Sequence, residues 1–340
     1  MTEQRYPWPE ASSTGVGSFP GTDPDEAVRT VLGELPELPH LPELPERGAG
    51  ADVVGRTAGM LVDLPVEVQP AGWRVAQRPG RDAERARGFL SRDLDALEEH
   101  SQGLSGALKI QVAGLWTLAA AIELRSGEKL LADHGAVADL AASHLEGVLA
   151  HVAEVRKRVP GTELLVQVDE PSLPAVLQGA VPTASGYGRL PAPDIVAVEA
   201  RLRELFAALA AAEAVPAAHC CAAGVPLDLL RRSGARAVSL DATLIGRALD
   251  EDVGTAVEAG VGLFTGVVAS TGGVVSDPAA NVDPVRELWS RVGLAPEQLA
   301  RAVVVTPTCG LGSAAPDHAR AALDACRRAA RVLREDPRRR

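Results

Sequence analysis

From residue 107 onward, short apolar runs alternate with longer helical stretches, and the runs end in polar residues. Residues 107–113, 163–168, 214–218, 236–240, 261–269 and 302–306 read as buried strands. An alanine-rich helix follows Gly114-Leu115-Trp116-Thr117, and helical spacing recurs over 134–157, 193–212, 226–232, 244–259, 284–292, 296–301 and 317–334. Such alternation folds as a parallel sheet covered by helices. Upstream the pattern is looser. Residues 14–20 read as a strand running into a Gly/Ser turn, and 23–32 carry acidic helix-start chemistry. Pro36, Pro39, Pro42 and Pro45 recur every third residue, as in a polyproline II peptide ligand or a stiff connection. Any barrel strand there is weak, because proline cannot donate to a ladder. Residues 51–62 have helical spacing, 64–80 read as a long irregular excursion (a lid or a packed loop), and 81–102 as a charged helix. Eight strand-plus-crossover units predict one α/β domain, a closed (β/α)8 TIM barrel over 14–334. Residues 1–13 are expected to be a disordered leader and 335–340 a solvated basic tail.

A hydrophobic fraction of 46% with only 3% aromatics calls for an aliphatic, alanine-rich core. A net charge of -11 argues against nucleic-acid binding, which needs clustered Lys and Arg. No apolar run reaches the roughly 20 residues that span a bilayer, so no membrane is expected. Residues 1–10 do not read as a signal peptide. All 4 cysteines lie late in the chain, a distribution that suits metal or thiol chemistry and not a disulfide framework. A cytoplasmic enzyme is the expectation.

Ser18, Asp169, His219 with Cys221, Asp241 and Cys309 all fall just past expected strand ends. In a barrel those ends open on one face, where active sites sit. His219 and Cys221, two apart on a strand, point the same way. Thiolates with an imidazole and a carboxylate are zinc ligands, so His219, Cys221, Asp241 and Cys309 form a candidate zinc site. A buried Cys or lone His is often plain core, and Cys220 and Cys326 are read that way. Cys309 differs, because it lies in a turn, Thr306-Pro307-Thr308-Cys309-Gly310.

Val16-Gly17-Ser18-Phe19-Pro20, Gln167-Val168-Asp169-Glu170-Pro171, His219-Cys220-Cys221 and Cys309-Gly310-Leu311 occur together, in this order, across almost the whole chain. In this the chain resembles the C-terminal catalytic barrel of cobalamin-independent methionine synthase, in the uroporphyrinogen decarboxylase/methionine synthase-like superfamily. The resemblance implies a zinc-dependent methyl transfer to homocysteine. Zn2+ would bind the homocysteine sulfur through His219, Cys221, Asp241 and Cys309. Val16, Gly17, Ser18 and the catalytic-site Asp169 would hold the amino-acid end.

The chain also departs from that pattern. The family's glutamate ligand falls at or near the shorter Asp241. Its second amino-group carboxylate corresponds to the region Asp52-Val53-Val54-Gly55, which leaves Glu43, Glu46 or Glu67 as substitutes. Its relay-histidine stretch corresponds to Ala269-Ser270-Thr271, and a Gly-rich loop follows to Ser276. With one barrel instead of two, the methyl donor is either a methyl-tetrahydrofolate or a methylcorrinoid, free or protein-bound. Two alternatives stand beside homocysteine methylation. One is transfer to another thiol, such as a coenzyme M-like acceptor, and the other is a non-catalytic zinc-binding barrel.

Overall fold

The computed structural model describes residues 6–272 and 277–338. The chain is α/β. Its central sheet holds six parallel strands in chain order, preceded by a small hairpin of β1 (Val66–Gln69) and β2 (Gly72–Val75). The sheet strands are β3 (Gly106–Ala113), β4 (Thr162–Asp169), β5 (Val215–Cys220), β6 (Ala237–Asp241), β7 (Gly262–Val268) and β8 (Val303–Pro307). The helices that matter for the site are α1 (Pro24–Glu34), α2 (Val53–Ala58), α3 (Arg81–His100), α4 (Leu115–Ala121) and α5 (His134–Arg158). Asp23, Asp52 and Asp133 cap α1, α2 and α5 by accepting from backbone N–H groups of the first turn.

Parallel register sets alternate residues on opposite faces. Ala107, Leu165, Ala217, Ala237, Phe264 and Val304 form a small cluster with Leu38 and Trp8, an apolar floor inside the curl of the sheet. Their strand neighbours, such as Leu108, Val166 and Val238, join the larger cluster under the helices. Residues 6–13, expected to be disordered, are instead tied in. Trp8 is 6% exposed, meets Phe264 edge-on at 5.0 Å and donates from Nε1 to the Arg301 carbonyl at 3.0 Å. Gly262 makes room for it, since a Cβ there would lie 2.2 Å from the indole. Residues 1–5 of the expected leader and 339–340 of the expected tail lie outside the described residues.

The expected closed barrel of eight laddered strands does not form. Six strands make ladders; two extended segments replace the other two and touch the sheet edges through isolated bridges. Thr14 donates to the Val305 carbonyl on the β8 side, and Leu41 donates to the Lys109 carbonyl on the β3 side, each at 3.0 Å. Between the segments, Phe19 donates to Glu43 and Glu43 to Gly17. Pro39 and Pro42 lack the N–H groups a longer ladder would need. The stretch 64–80 also differs from expectation. It contains the β1–β2 hairpin, and Val75 and Trp73 exchange backbone bonds with Glu123.

Candidate functional site

Above the apolar floor the inward positions turn polar: Lys109 and Gln111 on β3, Gln167 and Asp169 on β4, His219 on β5, Ser239 and Asp241 on β6, and Thr306 on β8. This end of the sheet meets the loop 15–19. The Gln167 side-chain nitrogen donates both to Asp169 Oδ1 (2.7 Å) and to the Val16 carbonyl (2.8 Å). Lys109 Nζ donates to the same carbonyl at 2.9 Å. Among the described residues the N–H groups of Gly17 and Ser18 have no hydrogen-bond partner, so they are free to receive an anion.

Burial pushes the Asp169 carboxyl well above the usual carboxylate range; neighbouring Glu43 adds to this and Lys109 opposes it. Burial also brings Lys109 down to about 8, against the pull of Asp169 and Glu43. Among the three glutamates left open by sequence, only Glu43 joins this group. It is 2% exposed, its Oε1 has no hydrogen-bond partner, and Arg56 lies 3.9 Å away. Glu46 instead accepts from Gly21 N–H, and Glu67 from the Gln69 amide. Gly55 has no room for a side chain, because a Cβ would lie 2.5 Å from the Gly50 nitrogen.

The two carboxylates of Asp169-Glu170 separate. Glu170 turns to α4 and accepts from Trp116 N–H, Thr117 N–H and the Thr117 hydroxyl at 2.7–3.0 Å. It satisfies helix-start donors from a neighbouring strand end.

Cys221 Sγ and Cys309 Sγ lie 3.4 Å apart although 88 residues separate them. Ligand atoms around tetrahedral zinc are roughly 3.3–3.8 Å apart for bonds of 2.0–2.3 Å, so this sulfur pair fits. Either thiol can donate in this pair; the shared hydrogen bond holds Cys309 below the usual thiol range and raises Cys221. His219 is 4% exposed, with Nδ1 2.9 Å from Ser239 Oγ; burial, with Lys109 adding, brings its ring down to about 3. Asp241 acts on Cys309 electrostatically, and its Oδ1 accepts from the Thr243 N–H and hydroxyl. No three of these four ligand candidates have ligand atoms within 4.8 Å of one another. Among the described residues that spacing is met by Asp25, Glu99 and His100, a set that could hold a metal ion, on α1 and α3 away from the strand ends. Cys220 and Cys326 are buried in the apolar core, as expected.

Ser18 fastens the Cys309 turn to the loop 15–19. Its carbonyl accepts from Leu311 N–H at 2.8 Å and its hydroxyl from Gly312 N–H at 3.2 Å. Gly310 is required by this contact, since a Cβ would lie 2.1 Å from Ser18 Oγ. After β7, the Ala269 carbonyl meets His318 Nε2 at 3.1 Å, so an imidazole reaches this segment from the last helix. Residues 273–276 of the expected Gly-rich loop lie outside the described residues. Lys109, Gln111 and Ser239 were not singled out from sequence, and Gln167 was quoted within a matching stretch but given no role, although each is a polar residue at an alternate position of a buried strand.

No helix among the described residues is long and apolar enough to cross a membrane. No curated protein matches the chain significantly. Among solved structures, the chain is similar to a B12-independent methionine synthase from Shewanella sp. W3-18-1 in complex with selenomethionine. The identity is 13% and the TM-score 0.63, over 96% of this chain and 99% of that one, a likeness of fold. The family model described as the catalytic domain of cobalamin-independent synthase matches residues 11–332. With nearly the whole length matched, the chain belongs to the cobalamin-independent synthase catalytic-domain family.

Proposed function

We infer that this chain is a zinc-dependent thiol methyltransferase that converts homocysteine to methionine. The observation that carries this reading is the Cys221–Cys309 sulfur pair, assembled at the strand ends beside Asp169 and the loop 15–19. Bound zinc, held by the two thiolates with His219 and Asp241, would supply a lowered thiol pKa, so that the acceptor is a thiolate at neutral pH. The remaining work falls to the chain itself. Asp169, kept in orientation by Gln167, receives the ammonium of the acceptor, with Glu43 as the second carboxylate. The Gly17 and Ser18 N–H groups receive the acceptor's carboxylate. The thiolate attacks the methyl carbon in line, and the new S–C bond forms as the donor's bond to that carbon breaks with its electron pair. The donor is a methyl-tetrahydrofolate or a methylcorrinoid, free or carried on a protein.

A second reading keeps the chemistry and changes the acceptor to a thiol without an amino group. It is favoured by Gly55, where no carboxylate side chain fits, and by the Lys109 ammonium that already acts on Asp169 and Glu43. Competition by a panel of thiols separates the two readings. The deciding experiment is zinc content with metal-edge absorption spectra, with and without homocysteine. One zinc per chain that gains a sulfur ligand on adding homocysteine supports the first reading. Zinc that ignores homocysteine favours the second or a structural role, and absence of zinc under reducing, chelator-free conditions sinks both.

A further inference from the structure

We propose that Ser239 is a positioning residue for metal binding: its hydroxyl fixes the His219 ring so that Nε2 is the nitrogen offered to the metal. This rests on the zinc centre inferred above. His219 on β5 and Ser239 on β6 are direct register partners. Their side chains share the inward face, and Nδ1 lies 2.9 Å from Oγ with both residues buried. An imidazole that binds a metal through Nε2 carries its proton on Nδ1, and that N–H needs an acceptor when buried. The Ser239 oxygen is the acceptor in reach, and among the described residues Nε2 has no hydrogen-bond partner. Ser239 touches neither substrate nor metal in this scheme. Its effect runs through the tautomer and the ring angle, the role outer partners of metal-bound histidines play in general.

The neighbouring layer explains why the hydroxyl is placed there. One step down each strand, Ala217 and Ala237 lie in the apolar floor and offer no polar atom. One step up, Asp241 is engaged with Thr243. Ser239 is therefore the polar group on β6 at the height of the His219 ring.

The test compares purified full-length wild type, Ser239→Ala and Ser239→Thr by chelator competition for zinc, with thermal melting of each metal-free protein. Ser239→Ala is expected to weaken zinc binding about 10–100-fold, while its metal-free melting temperature falls by no more than the few degrees that one lost buried hydrogen bond costs. Ser239→Thr, which keeps the hydroxyl, is expected to recover most of the affinity. Wild-type affinity in Ser239→Ala overturns the proposal, and so does a Ser239→Thr protein that melts normally yet binds as weakly as the alanine variant. Loss of affinity that only tracks a lowered melting temperature in both variants also overturns it, since the role is then in folding. A wild type that binds no zinc overturns the metal centre itself and is thereby distinct from these outcomes.

Discussion

One nitrogen of the Gln167 amide holds both Asp169, at 2.7 Å, and the Val16 carbonyl, at 2.8 Å. The two groups assigned to the amino-acid end of the acceptor come from distant chain segments, and the Gln167 amide, 151 residues from Val16, links them. A hydrogen bond to a charged group contributes about 1.5–3 kcal/mol. Gln167→Leu keeps the side-chain size and removes the donor, so kcat/KM for homocysteine should fall at least about ten-fold. Zinc content should stay at the wild-type level. Steady-state kinetics beside metal analysis checks both halves, and unchanged kcat/KM would remove Gln167 from the acceptor site.

The thiol pair makes a sharper demand. Cys309→Ser should abolish zinc retention after gel filtration, because the site loses one of two sulfurs 3.4 Å apart. Cys326→Ala, in the core on the last helix, should retain zinc fully. Full zinc and activity in Cys309→Ser would show the ligand assignment to be wrong.

Much of this was legible in the sequence, and the reason is physical. Strands β3 to β8 are apolar runs buried on both sides, and such runs need little tertiary context to be read. His219, Cys221, Asp241 and Cys309 were visible because they sit at the ends of those runs. Lys109 and Ser239 were not, because they sit inside the strand runs and not at their ends, and Gln167, although part of a quoted stretch, was given no role for the same reason. Reading every second residue would have found them: Ala107, Lys109, Gln111; Leu165, Gln167, Asp169; Ala217, His219, Cys221; Ala237, Ser239, Asp241. Each series passes from apolar to polar toward the same end of the sheet. The missing part of the ladder was foreshadowed by the prolines at 39 and 42, which deny two strand positions their donors. Glu43 could not be chosen from sequence, because only the bridge between Ser18 and Glu43 brings its carboxylate toward Asp169.

Lys109 gives a pH signature. Burial lowers its folded-state value to about 8 from an ordinary 10.5. Below pH 8 both folded and unfolded chains hold the proton, so the burial penalty is fully present. Between about 8 and 10.5 the unfolded chain binds more protons than the folded one, so this group makes stability rise with pH. From pH 7.5 to 9.5 the gain should be about 2 kcal/mol, and Lys109→Met should lack it. Urea unfolding of both proteins at the two pH values measures this, and equal pH dependence would contradict it.

Glu170 should matter for folding more than for chemistry. Its carboxylate satisfies three donors at the start of α4. Glu170→Ala leaves two buried backbone N–H groups without partners and should cost about 2–4 kcal/mol. Zinc stoichiometry of the folded fraction should be unchanged. Chemical unfolding with metal analysis checks this, and a stable variant that loses zinc would reverse the assignment.

The contact between Gly310 and Ser18 links the acceptor loop to a metal-ligand candidate and can be probed from both sides. In Gly310→Ala the new methyl would lie 2.1 Å from Ser18 Oγ, so one of the two segments must move. The segment carrying Gly310 also carries Cys309, and a shift of a few tenths of an ångström is enough to spoil the 3.4 Å sulfur pair. Gly310→Ala should therefore lower zinc affinity while leaving the remote core intact. Ser18→Ala removes the oxygen in the way, at the cost of the hydrogen bond from Gly312. If the clash is the cause, the double variant should bind zinc better than Gly310→Ala alone, a coupling of about 1 kcal/mol or more between neighbours. Chelator competition on the four proteins of this cycle supplies the number. Strict additivity would mean that Ser18 and the Cys309 turn are independent, and that the loop 15–19 does not help to hold the metal site.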